Sequence, residues 1–144
     1  MATSNVMVKH PADDLVVRVG DAVGAQELQL LFAVAWPGPA RPPSDAVLAA
    51  SLCWVTARVA GELIGFVNIA TDGGAHAFVL DTTVHPDHRR CGIGRLVVEA
   101  GVAEARQRGI EWVHVDYEPH LELFYTSCGF RSTLAGLRHL PPAG

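Results

Sequence analysis

The sequence predicts an α+β domain, α/β-like in its second half, built on one mixed central sheet. Three observations carry the prediction. Apolar runs joined by glycine-containing links between Cys53 and Val84 read as an antiparallel meander. The last of these runs passes through a short loop into a long helix beginning near Gly92. A further apolar run follows that helix, Trp112 to Asp116, and a strand–helix–strand crossover of this kind is parallel and right-handed.

Each element has its own local signal. Leu15 to Val19 is a short β-type run ended by Gly20-Asp21. From Gly24 to Ala35 the residues Leu28, Leu31, Phe32 and Ala35 recur at helical spacing, and Pro37-Gly38-Pro39 stops the helix. After a loop from Pro39 to Pro43, Ser44 is placed to cap a second short helix through Ser51. Cys53 to Val59 and Leu63 to Ala70 form a hairpin about Ala60-Gly61, and Asp72-Gly73-Gly74 leads to a third strand, Ala75 to Val84. In the long helix Ile93, Leu96, Val97, Ala100 and Ala103 are expected to share the core face, with Arg95, Glu99 and Arg106 opposite. Glu104 and Arg108 make an i,i+4 pair, and Gly109 ends the helix. Pro119 to Ser127 reads as a helix and Phe130 to Leu140 as a final β segment.

Bulk properties narrow the function. The 144 residues suit one domain spanning 1–144, with 1–13 expected to be a flexible N-terminus. A hydrophobic fraction of 49% against 18% charged residues argues against disorder. The net charge of −4 argues against a nucleic-acid partner. No apolar run reaches the roughly 18 residues of a membrane span. Lys9 and His10 are followed by Pro11, Asp13 and Asp14, unlike a secretory leader, so a cytoplasmic protein is expected. Cys53, Cys91 and Cys128 are too few and too scattered for a disulfide framework or a cysteine metal site.

The chemistry concentrates at Arg89-Arg90-Cys91-Gly92-Ile93-Gly94, where loop becomes helix. The first N–H groups of a helix lack internal partners and face the positive end of its dipole, so an anion belongs there. Arg89, Arg90 and Arg95 add positive charge. A P-loop would need Gly-Lys-Ser/Thr, which is missing, and a dinucleotide fingerprint would need a small residue where Val97 stands.

The run Val84-His85-Pro86-Asp87-His88-Arg89-Arg90-Cys91-Gly92-Ile93-Gly94-Arg95-Leu96-Val97 resembles the acetyl-CoA-binding segment of the GNAT N-acetyltransferase superfamily, whose Gln/Arg-x-x-Gly-x-Gly/Ala signature is met by Arg89, Gly92 and Gly94. Leu123-Phe124-Tyr125-Thr126-Ser127-Cys128-Gly129-Phe130 resembles a second segment of that family, Phe-Tyr-x-x-x-Gly-Phe. The resemblance implies a sheet of about six to seven strands flanked by four helices. The family's fourth and fifth strands, here ending at Val84 and spanning Trp112 to Asp116, would be splayed. It implies acetyl-CoA as co-substrate, no metal, and transfer of acetyl to a primary amine that attacks the thioester directly. Thr83 and Val84 would hold the pantetheine and acyl carbonyl, and Arg89, Arg90, Cys91, Gly92, Ile93, Gly94 and Arg95 the pyrophosphate. Tyr125 would protonate the departing thiolate. For the base, Asp81 and Asp116 stand first, followed by Glu118, His76, His114 and His120. Glu118 occupies a place where many relatives carry asparagine.

In this family the segment between the first two helices lines the acceptor pocket, which draws attention to Trp36. The region from Gln26 to Ser51 carries few charges, Glu27, Arg41 and Asp45 among them. A small-molecule amine or amino-acid-like acceptor is expected, with a protein N-terminus the other candidate, and homodimerisation is left open. A non-catalytic acyl-CoA-binding regulatory module of the same fold is the alternative. His85, Asp87 and His88 lie close together without a third ligand for zinc at suitable spacing.

Overall fold

The computed structural model describes residues 14–144 in full and Asn5–Met7 as backbone. The rest of the segment expected to be flexible lies outside the described residues. The elements are β1 (Asn5–Met7), β2 (Leu15–Val19), α1 (Ala25–Ala35), α2 (Asp45–Ala50), β3 (Cys53–Val59), β4 (Glu62–Thr71), β5 (His76–Val84), α3 (Ile93–Gln107), β6 (Trp112–His114) and α4 (Glu122–Ser127). They form one six-stranded mixed sheet in the order β1-β2-β3-β4-β5-β6, with four helices. All neighbours are antiparallel except β5 and β6, the pair joined through α3.

Local chemistry sets the boundaries. Glu27 Oε2 reaches back to accept from the Gly24 N–H at 2.8 Å, which opens α1. The Ser44 hydroxyl accepts from Val47 N at 3.3 Å and starts α2 as its sequence predicts. In the β3–β4 hairpin Ala60 and Gly61 both have positive φ, 48° and 81°, the geometry that matches the strands' twist.

The sheet separates two cores. Against one face, α3 buries Ile93, Val97, Val98, Gly101 and Ala105 on Val55, Ala57, Val67, Ile69, Ala77 and Val79. This corrects the expected helix face: Ala103 is exposed and the buried stripe turns toward Gly101 and Ala105. The cause is close approach. A Cβ added at Gly101 would stand 2.9 Å from the Ile69 side chain, so the helix crosses the sheet where it has no side chain. On the other face α1 and α2 bury Leu28, Leu31, Phe32 and Leu48 on Leu63 and Phe66. That smaller core is supplemented by a polar hub. Arg58 donates to Asp21 Oδ2 at 3.0 Å and to both oxygens of Glu27 at 2.7 and 2.9 Å, and Trp54 Nε1 donates to Asp21 O at 2.7 Å.

Three expectations in the C-terminal third change. The strand expected over Trp112 to Asp116 stops at His114, because its partner diverges there. The helix expected over Pro119 to Ser127 divides into a 3-10 turn, Pro119–Leu121, and α4. Phe130 to Leu140 forms no strand. It joins no ladder, β6 at the sheet edge being only three residues long, and Leu134, Leu137 and Leu140 are 106%, 86% and 71% exposed.

Candidate active site

Two irregularities of β5 create the site. Parallel pairing with β6 covers only His76↔Trp112 to Phe78↔His114. Beyond it the strands part, and a cavity of about 640 Å³ is lined by Phe78–Leu80, Trp112–Tyr117 and the segment from Cys128 to Leu137. Toward β4 the register jumps from Phe66↔Thr83 to Asn68↔Leu80, so β5 carries one extra residue. Asp81 sits in this bulge with φ of +59°, a left-handed conformation that aspartate tolerates better than most residues. Bulges re-aim side chains, and this one separates neighbours. Thr82 and Val84 line a second cavity, of about 490 Å³, while Thr83 turns to α1.

The second cavity lies at the start of α3 and is lined also by Arg89, Arg90, Gly92 and Gly94. Arg90 and Gly92 have φ of +60° and +78°, so the chain coils tightly into the helix. Gly92 is the N-cap, and the first turn contains no acidic residue to offset the dipole. A Cβ on Gly92 would meet nothing within 4 Å, so its surroundings are open to a ligand. Gly94 has another reason to be glycine: a Cβ there would press the Phe124 ring at 3.2 Å. The motif thus both exposes backbone amides and lets α4 seat against α3. Open space, unpaired helix amides and the Arg90 guanidinium together suit a pyrophosphate.

Other predicted residues are placed differently. The Arg95 guanidinium is paired with Glu99 at 2.8 Å, and Arg89 Nη2 donates to Ala35 O at 3.0 Å, at the end of α1. Cys91 is exposed and its thiol donates to Arg89 O at 3.5 Å. Ile93 is buried beneath the loop. Thr83 Oγ1 accepts from Trp36 Nε1 and donates to Asp81 O, each at 2.9 Å.

Tyr125, 6% exposed, lines the same cavity. Its hydroxyl donates to Thr82 Oγ1 at 3.2 Å, and its ring stacks on Tyr117 with edges to Phe124 and Phe130. Burial pushes its phenol above the ordinary value of 10, against the opposing hydrogen bond to Thr82, so the proton is retained at neutral pH. Burial also raises the Asp81 carboxyl above its ordinary 3.8. Asp116 is exposed just past β6 and lines the wedge-shaped cavity with Tyr117. Glu118 precedes the 3-10 turn as its cap and is exposed. His76 Nδ1 and His114 Nε2 lie 2.7 Å apart at the mouth of the wedge. His85 Nδ1 accepts from the Asp87 N–H, which closes the turn. Among the described residues no group of three or more His, Cys, Asp or Glu is arranged to hold a metal ion. Thr82, which lines the cavity and accepts from Tyr125, is a position the sequence did not single out; only its place beside Asp81 hinted at it.

The chain belongs to the acetyltransferase (GNAT) family, whose sequence profile matches residues 25–130, well over half of its length. It is 37% identical over 71 residues to serotonin N-acetyltransferase 2, chloroplastic, of Oryza sativa subsp. japonica, covering 49% of this chain and 36% of that protein. It is 32% identical over 69 residues to the N-acetyltransferase ycf52 of Pyropia yezoensis, covering 48% of this chain and 40% of that protein. The chain therefore spans less than half the length of these curated relatives. Among solved structures, a Trypanosoma brucei acetyltransferase superposes with a TM-score of 0.69 at 22% identity, over 89% of this chain and 100% of that one. AAC(6')-Iy in complex with a CoA-containing bisubstrate analogue gives a TM-score of 0.69 at 20% identity, over 90% and 99%. At those identities the likeness is one of fold. No helix among the described residues is long and apolar enough to cross a membrane.

Proposed function

We propose that this protein transfers an acetyl group from acetyl-CoA to a primary amine on a small molecule, without a covalent acyl-enzyme. The observation that carries the reading is the placement of Tyr125: a buried, protonated phenol opens into the cavity that begins at the unpaired amides of α3. The pyrophosphate would rest on the backbone from Arg90 to Gly94, with Arg90 adding charge. The amine nitrogen would attack the thioester carbonyl carbon as the C–S bond breaks and its electron pair leaves on sulfur. Tyr125 would then give its proton to the thiolate, stabilising charge that develops late in the reaction.

The amine must shed a proton, and of the two leading carboxylates Asp81 is the stronger base, although Asp116 is the one that lines a cavity. Asp81 is half-buried in the bulge beside Thr82, and burial strengthens it as a base, whereas Asp116 is exposed. The few charges in the region from Gln26 to Ser51, Glu27, Arg41 and Asp45 among them, favour an acceptor that is neither polyanionic nor strongly basic.

The test is free-thiol release from acetyl-CoA with a panel of primary amines. Amine-dependent release that falls by about a hundredfold or more in Tyr125→Phe, with little change in acetyl-CoA affinity, is the expected result. Tight acetyl-CoA binding with no release for any amine would instead make the chain an acyl-CoA-binding regulatory module.

A further inference from the structure

We propose that Arg89, although it opens the glycine motif, is a positioning residue for the acceptor side of the site and not a phosphate ligand. The inference rests on the transferase reading above. It begins with the end of α1, whose last turn contains no basic residue. Its terminal carbonyls therefore present the negative end of the helix dipole with no local compensation. Arg89 supplies the missing cation from the donor loop: its Nη2 donates to Ala35 O at 3.0 Å, across 54 residues of sequence.

The next residue makes a second tether. The Trp36 indole N–H donates to Thr83 Oγ1, and that hydroxyl donates in turn to Asp81 O, each at 2.9 Å. The last turn of α1 is thus held at two points, one on the pyrophosphate loop and one on the bulge beside the reacting groups. In the last turn only Phe32 is packed in the core, and past it Val34 and Trp36 are 53% and 46% exposed, so the tethers fix what packing leaves open. Trp36 stands in the segment between α1 and α2, which the family resemblance places along the acceptor side, and these two tethers set its position. The remaining guanidiniums divide their work accordingly. Arg95 is held by Glu99, and Arg90, exposed on the cavity rim, is the one left to face a phosphate.

The assignment separates two neighbouring arginines by experiment. Acetyl-CoA affinity is measured by calorimetry, acceptor KM and kcat by thiol release, and protection of the α1 C-terminal amides by hydrogen exchange. The proteins are the wild type, R89Q, R90Q and W36F. R89Q and W36F are expected to raise acceptor KM on the order of fivefold to tenfold, more than kcat falls, the worth of one hydrogen bond from a guanidinium or indole N–H. Both should speed exchange at the end of α1, with acetyl-CoA affinity nearly preserved. R90Q should show the reverse, weaker acetyl-CoA with α1 protected as before. If R89Q weakens acetyl-CoA as much as R90Q does and leaves acceptor KM alone, Arg89 is a phosphate ligand and the proposal fails. Unchanged exchange in R89Q also ends it, whatever the turnover. Faster exchange in R89Q alongside a wild type that acetylates no amine would sink the transferase reading and leave the tether standing.

Discussion

The two faces of the sheet are built by different means. The α3 face is mainly apolar: Ile69, Val97 and Val98 are fully buried, a glycine lets the helix approach the sheet closely, and Arg108 donating to Leu52 O is a polar tether at its end. The α1/α2 face buries fewer apolar groups and depends on tethers, with Arg58 holding Asp21 and Glu27, Trp54 on Asp21, Trp36 on Thr83 and Arg89 on Ala35. Packing of the first kind is insensitive to pH and salt and fixes geometry closely. Tethers of the second kind are weaker, directional and exchangeable. The family's donor loop belongs to the rigid face, because its helix does, and the side that would admit different amines belongs to the adjustable one.

The comparison can be broken by substitutions on either face. The largest effect is expected from Ile69→Ala, which empties the space against Gly101 and should cost about 3–4 kcal/mol. Urea unfolding at several pH values between 5 and 8 should give the same loss; a pH-dependent loss would contradict a purely apolar contact. Arg58→Ala comes next, at about 2–3 kcal/mol, since it strips Glu27 of its cation and leaves Asp21 only Arg18 at 3.7 Å. Its cost should shrink in high salt, and a salt-independent cost would mean that Arg58 acts through its alkyl stem instead.

Glu27→Gln is smaller, about 0.5–1 kcal/mol at neutral pH. Its hydrogen bonds to Arg58 hold the Glu27 carboxyl below its ordinary 4.5. A depressed carboxylate contributes stability above its unfolded pKa and loses it as pH falls through the folded one. The difference between wild type and variant should therefore hold above pH 4.5 and close progressively below it. The smallest change, of opposite sign, is expected from Asp81→Asn. Burial raises the Asp81 carboxyl, so ionising it opposes folding once pH passes 3.8. Asparagine avoids that cost and accepts the left-handed backbone. A slightly higher melting temperature at pH 7 than wild type, the gain vanishing below the ordinary aspartate range, together with lost acetyl transfer, would mark strain kept for function.

What the sequence reveals follows the same division. The hairpin at Ala60-Gly61, the cap at Ser44 and the helix start at Gly92 are written in local residue types, so their positions are legible. The bulge at Asp81 is not, because a positive φ at a non-glycine residue is imposed by pairing with β4 rather than by the residue itself. Thr82 and Thr83 are likewise adjacent and chemically identical, and only the bulge decides that one meets Tyr125 and the other Trp36. The role of Arg89 toward α1 is a contact between distant segments, invisible to a motif. Phe130 to Leu140 has β-like composition, yet it does not pair with the open edge of β6, and propensity alone does not make a strand.

The three cysteines sit at graded depths, and this gives the protein an intrinsic chemical reporter. Cys53 is fully enclosed, with burial pushing its thiol to about 11, and Cys128 is part-buried and also raised by burial. Cys91 is exposed in the loop where the pyrophosphate would lie. An alkylating dye added to the unaltered chain should choose Cys91 first, since reactivity follows thiolate fraction and access. A bound donor would shield that sulfur, so the labelling rate itself would count occupied sites.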